Sequence, residues 1–177
     1  MTQDNTMEPI LNANHTKASP FSYGAGHIRP NKAMDPGLVY DLTVNDYLNF
    51  LCALGYNETQ ISTFSDAPYE CPSKPISLAN FNYPSITVPK FNGSITLSRT
   101  VKNVGSPSTY KLRIRKPTGV SVSVEPKKLE FKKVGEEKAF TVTLKGKGKA
   151  AKDYVFGELI WSDNKHHVRS PIVVKWF

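Results

Sequence analysis

Four histidines, His15, His27, His166 and His167, are the natural candidates for acid–base chemistry in this 177-residue sequence, because imidazole alone titrates near neutrality. His15 lies inside an Asn14-His15-Thr16 triplet and His27 inside a turn-rich GAGHI stretch, both settings for surface or structural residues. Ser162, Asp163 and His166 supply the residue types of a nucleophilic relay. A turn at Asn164 accounts for the serine and aspartate without catalysis. His166 and His167, adjacent on an expected strand, point to opposite faces, which argues against a shared relay or joint metal chelation. Gly24-x-Gly26 lacks the third glycine of a dinucleotide fingerprint, and Gly146-Lys147-Gly148-Lys149 lacks P-loop spacing and reads as a flexible basic loop. No carboxylate pair is spaced for glycosidase or metal chemistry. The reading is a chain with no catalytic residue, no metal site and no cofactor.

Covalent chemistry is expected elsewhere. Asn14, Asn57 and Asn92 each open an Asn-x-Ser/Thr sequon, and three in so short a chain favour the secretory pathway. Two cysteines, without a CxxC pair, are too few for a structural zinc site. In an oxidising compartment they are expected as a Cys52–Cys71 disulfide, the alternative being two unrelated buried thiols.

Composition suits a globular chain: 39% hydrophobic and 21% charged. No apolar run approaches the ~20 residues needed to span a bilayer, so no membrane is expected as a partner. The polar N-terminus lacks the features of a signal peptide, which in a secreted form would lie upstream. The net charge of +8 is unevenly placed. Residues 1–79 carry 4 basic against 8 acidic groups, and residues 80–177 carry 19 against 7. That shift points to two units of different character and to a basic surface.

The elements follow from periodicity. Residues 1–41 are rich in Gly, Pro and Asn and read as an irregular segment that needs another body to pack on. Thr43 begins a helix as N-cap, with Asp46 completing a capping box. Tyr47, Phe50, Leu51 and Leu54 mark one helical face, and Gly55 supplies the left-handed stop. A second helical turn is expected over 57–64 with Asn57 as cap, a role that competes with its glycosylation. Beyond Cys71 the period becomes two, giving strands near 83–88, 94–103, 109–116, 119–125, 128–132, 137–145, 154–161 and 167–175. Seven or eight short strands with turn residues between them indicate a mainly β chain, a fibronectin type III-like β-sandwich, with Trp161 in its core.

Five collinear blocks now carry a family resemblance: Phe21–Asp41 (FSYGAGHIRPNKAMDPGLVYD), Asp46–Tyr56 (DYLNFLCALGY), Asn82–Pro89 (NYPSITVP), Arg99–Gly105 (RTVKNVG) and Trp161–Val174 (WSDNKHHVRSPIVV). In this order they resemble the C-terminal part of plant subtilisin-like serine proteases. The resemblance implies three units: residues 1–41 as the end of a catalytic domain, 42–79 as a helical connector, and 80–177 as the sandwich. It also implies a secreted, extracellular glycoprotein in which the sandwich packs on the catalytic domain in cis. The family's Asp, His and Ser triad and its GTSM-type serine motif do not occur here, and Met1-Thr2 would fall in or just after the helix that follows the serine. The expected function is therefore structural or accessory to proteolysis, the chain being inactive alone. The alternative is a free-standing basic module that binds acidic cell-wall polysaccharide or another subtilase. Nucleic acid is disfavoured as a partner, since no nucleic-acid motif is present. Without a catalytic body, residues 1–41 are expected to be mobile while 80–177 fold alone.

Overall fold

The computed structural model describes residues 4, 6, 8–148 and 151–177; Met1-Thr2 and Lys149 of the basic loop lie outside them. After two single-turn helices, α1 (Pro20–Tyr23) and α2 (Pro30–Ala33), helix α3 (Val44–Ala53) begins where the sequence requires. Thr43 Oγ1 accepts the Asp46 amide, and the Asp46 carboxylate accepts the Thr43 amide at 2.7 Å. The helix ends in a Schellman arrangement: the Tyr56 amide reaches the Leu51 carbonyl, the Gly55 amide reaches that of Cys52, and Gly55 has φ +93°. Its buried face differs from the anticipated stripe. Leu48 and Cys52 are buried against Ile61 of the short helix α4 (Glu58–Ile61), whereas Tyr47 and Leu54 stay about half exposed. Tyr47 and Phe50 turn instead to the ring of Phe81, at 5.6 and 4.5 Å. Cys52 is bonded to Cys71, with Cα atoms 5.7 Å apart.

The β domain consists of two sheets packed face to face. One has the order β1-β3-β7-β5, the other β2-β9-β8-β4-β6. Their strands are β1 (Leu38–Val39), β2 (Ile86–Phe91), β3 (Ser94–Asn103), β4 (Ser108–Arg115), β5 (Val120–Glu125), β6 (Lys128–Phe131), β7 (Glu137–Gly146), β8 (Val155–Ser162) and β9 (His167–Trp176). All pairs are antiparallel except β2 with β9. The alternating residues read from the sequence face inward. Val120, Val122 and Val124 meet Phe140, Val142 and Leu144 on one sheet, opposite Tyr110, Leu159, Trp161 and Ile172 on the other. Trp161 is fully buried with its ring edge-on to Phe140.

Strand β1 was not anticipated. Leu38 and Val39 pair with Asn103 and Lys102 on β3, and Leu38 is buried in the sandwich core. The chain thus enters the sandwich some forty residues before the composition shift at residue 80. Upstream, helix α1 (Pro20–Tyr23) lies over the outer face of the five-stranded sheet: Phe21 packs edge-on against Tyr154 and Phe156, and the Arg169 guanidinium sits over the Tyr23 ring and donates to the Ala25 carbonyl at 3.0 Å. Residues 21–41 are therefore clasped to both sheets, in contrast to the expectation of a segment lacking a partner here.

Candidate functional site

The polar residues that the fold buries, Arg99, Asn103 and Ser170, all lie in the resembling blocks. Arg99, 4% exposed, aims its guanidinium at four main-chain carbonyls: Tyr83 (3.0 Å), Ala79 (2.8 Å), Ser98 (2.8 Å) and Ser85 (3.3 Å). No carboxylate neutralises it among the described residues, and burial pulls its pKa below the ordinary value. Its work is to tie the loop before β2 onto β3. Asn82 makes the same kind of staple, exchanging hydrogen bonds with the Thr100 amide (2.8 Å) and carbonyl (2.9 Å). Asn103, fully buried, donates to the carbonyls of Gly105 and Lys133 and so closes the β3–β4 turn.

The second polar centre joins the N-terminal segment to the β8–β9 hairpin. Asp163 forms an Asx-type turn, its Oδ1 accepting the amides of Lys165 (3.1 Å) and His166 (2.6 Å). Its Oδ2 accepts from Ser108 Oγ at 2.9 Å and pairs with His166 Nδ1 at 2.9 Å. The other ring nitrogen, Nε2, lies 3.1 Å from Asp35 Oδ1, while Lys165 pairs with Asp35 Oδ2. Tyr110 Oη stands 3.3 Å from Nδ1. Gly37 lies directly beneath this group. It has φ +78°, and a Cβ there would collide with Tyr110 Oη and the His166 ring, so only glycine fits. The segment continues through Tyr40, whose hydroxyl meets that of the buried Ser170 at 2.6 Å.

Burial disfavours the imidazolium of His166, but Asp163 and then Asp35 outweigh it and hold its pKa above the ordinary value. Burial likewise works against ionisation of Asp163, and hydrogen bonds from His166 and Ser108 prevail, leaving its pKa well below the usual carboxylate range. Burial, then the Asp163 charge, pushes the Tyr110 phenol up. The chemistry of this centre is that of a clamp. In a serine hydrolase the imidazole stands between hydroxyl and carboxylate, ready to take the hydroxyl proton. Here the carboxylate of Asp163 stands between Ser108 and His166, and the two carboxylates beside the imidazole favour its charged form. Ser162 takes no part in it: its Oγ accepts the Asn164 amide at 3.4 Å.

The structure brings together two of the residues named from sequence, Asp163 and His166, and adds Asp35, Ser108 and Tyr110, which no local pattern indicates. His167 opens β9 with its side chain exposed, while His166 precedes the strand and is turned inward. His27 is exposed on a cleft of about 450 Å³ that Asp35, Lys165, His166 and His167 also line. No group of three or more His, Cys, Asp or Glu among the described residues is placed to hold a metal ion. Asn14, Asn57 and Asn92 are all exposed. Asn57 caps α4 through Oδ1, which accepts the Gln60 amide at 3.0 Å. A glycan would be linked to Nδ2, so capping and glycosylation use different atoms and do not compete.

Residues 80–174 match the fibronectin type-III domain family. The chain is 62% identical over 174 residues to Subtilisin-like protease SBT5.3 of Arabidopsis thaliana, covering 97% of this chain and 22% of that protein. It is 55% identical over 174 residues to Subtilisin-like protease SBT5.4 of the same plant, and 49% identical over 178 residues to Subtilisin-like protease Glyma18g48580 of Glycine max, covering 98% of this chain and 22% of each relative. The chain thus spans about a fifth of the length of these curated relatives. Among solved structures, a FixG-related protein from Vibrio parahaemolyticus aligns over 47% of this chain and 78% of its own, with TM-score 0.39 and 16% identity.

Proposed function

Because the chain belongs to the fibronectin type-III domain family and carries the C-terminal region of plant subtilisin-like proteases, we propose that its role is structural, as an accessory to a protease body supplied in cis. The observation that carries this reading is the route of residues 21–41. They cross the outer face of one sheet, pass under His166 at Gly37 and join the other sheet at Leu38, so whatever precedes them is held at a fixed place on the sandwich. In this reading residues 1–41 are the end of the catalytic domain, 42–79 a disulfide-bridged connector, and 80–177 the buttressing sandwich. The protein is secreted and extracellular, and Asn14, Asn57 and Asn92 are its glycosylation sites. No helix among the described residues is long and apolar enough to cross a membrane.

The isolated chain should neither hydrolyse peptides nor take up a serine-directed phosphonate probe. Covalent labelling of any serine would overturn the reading. In a full-length relative, deleting the corresponding region should lower the yield of folded, active protease; unchanged yield and activity would count equally against it.

A second reading is favoured by the charge of residues 80–177, 19 basic groups against 7 acidic. In it the sandwich is a basic module that adheres to acidic cell-wall polysaccharide or to another subtilase. Retention of the chain on a pectate column, released by salt, tests it.

A further inference from the structure

On the outer face of the five-stranded sheet, Lys111, Arg113 and Arg115 project from β4, all exposed. Register places Lys111 directly opposite Lys128 of β6, so a fourth cation stands beside the row. Alternate residues of a strand are spaced about 7 Å apart and opposed residues about 5 Å. The result is a ladder of cations two strands wide. Little neutralises it. Glu158 serves Arg115 (3.3 Å) and Arg169 (2.7 Å), and Glu130 reaches Lys128 only at 3.9 Å, where both side chains are well exposed. Neither Lys111 nor Arg113 has an anionic partner among the described residues.

Two lysines set directly opposite each other on a sheet are unfavourable. Lysine on an edge strand is a common guard against aggregation, which accounts for Lys128 on β6. It does not account for Lys111 and Arg113, because β4 is an interior strand flanked by β6 and β8. The positions paired with the row across β8, Ser162, Ile160 and Glu158, carry no aromatic ring on which a base could stack, and Phe156, farther along that strand, is packed against Phe21. The face offers linearly spaced charge and one unencumbered guanidinium fork, which suits carboxylates.

We propose that the β4–β6 face is a docking surface for a linear polymer of carboxylate-bearing sugars. This rests on the second reading above and assigns it a place. The test uses the whole chain and immobilised polygalacturonate, with dextran as the neutral control. The variant Lys111→Thr/Arg113→Thr/Lys128→Thr is compared with Lys74→Thr/Lys145→Thr/Lys147→Thr, which removes the same charge from exposed sites elsewhere, and circular dichroism melts verify that both fold. The ladder variant should bind about tenfold more weakly at low salt, and the control within about twofold of the parent. Equal losses in the two variants would overturn the ladder while leaving a general polyanion affinity in place. Failure of the parent chain to bind would overturn both the ladder and the polysaccharide arm of the second reading. Equal, ladder-dependent binding to duplex DNA or to phosphatidylserine vesicles at the same ionic strength would overturn the preference for a polycarboxylate.

Discussion

Asp35 Oδ1 lies 3.1 Å from His166 Nε2, so a residue of the N-terminal segment closes an ion pair on a hairpin near the far end of the chain. The imidazole is also held by Asp163, and its side chain is only 9% exposed. This contact, with Gly37 under the ring and Leu38 in the core, fixes the entry of the chain into the sandwich.

The clamp makes stability depend on pH in a direction that can be worked out. His166 has a folded-state pKa above its unfolded one, so its contribution is complete below the unfolded value and is lost as pH rises through the folded value. Asp163 and Asp35 are shifted down, so theirs are present above the ordinary carboxylate value and lost as pH falls through the folded ones. Thermal melts of the chain should therefore peak in mildly acid solution and decline toward alkaline pH. His166→Gln should flatten the alkaline limb; a limb of unchanged slope would refute the assignment.

Leu38 tests whether the N-terminal segment is part of the domain. Leu38→Ala leaves a cavity beneath β1 and should cost about 2–5 kcal/mol in urea unfolding. Hydrogen exchange at Leu38 and Val39 should be slow in the parent chain and fast in the variant. Fast exchange in both would restore the picture of a segment that is mobile without a catalytic body.

Arg99 cannot be replaced conservatively. Lysine lacks the planar fork that reaches several carbonyls at once, so Arg99→Lys should destabilise by about 3 kcal/mol. The loop over 77–85 should also become sensitive to limited proteolysis, since three of the four carbonyls belong to it. Parental stability and resistance in the variant would show that the carbonyls find water instead.

The Cys52–Cys71 bridge closes a loop with a sequence separation of 19. In the chain-entropy model a loop of this size is worth roughly 3 kcal/mol. That energy supports the small cluster of Leu48, Cys52 and Ile61, which is separate from the sandwich core. Reduction should therefore lower the helical signal while the melt of the β domain stays nearly in place. A large shift of that melt would mean that the two cores are coupled.

Much of the fold was legible because it depends on local order. Period-two alternation located eight strands to within a few residues, since side chains on a pleated strand alternate faces wherever one face is buried. Thr43, Asp46 and Gly55 bounded α3 because caps act within a single turn. The stripe on that helix was misassigned in part because periodicity cannot say which neighbours exist: α4 and the disulfide claimed Leu48 and Cys52, leaving Tyr47 to Phe81.

By itself the sequence determined the two-sheet architecture, the basic character of its second half and the blocks that mark its family. Tertiary structure alone decided that Leu38 and Val39 form a strand, for a two-residue segment has no periodicity until β3 pairs with it. It also decided that Arg99 is buried and that Asp35 meets His166. Such contacts depend on how the sheets bring distant segments together, and no local propensity encodes a charge's partner more than a hundred residues away.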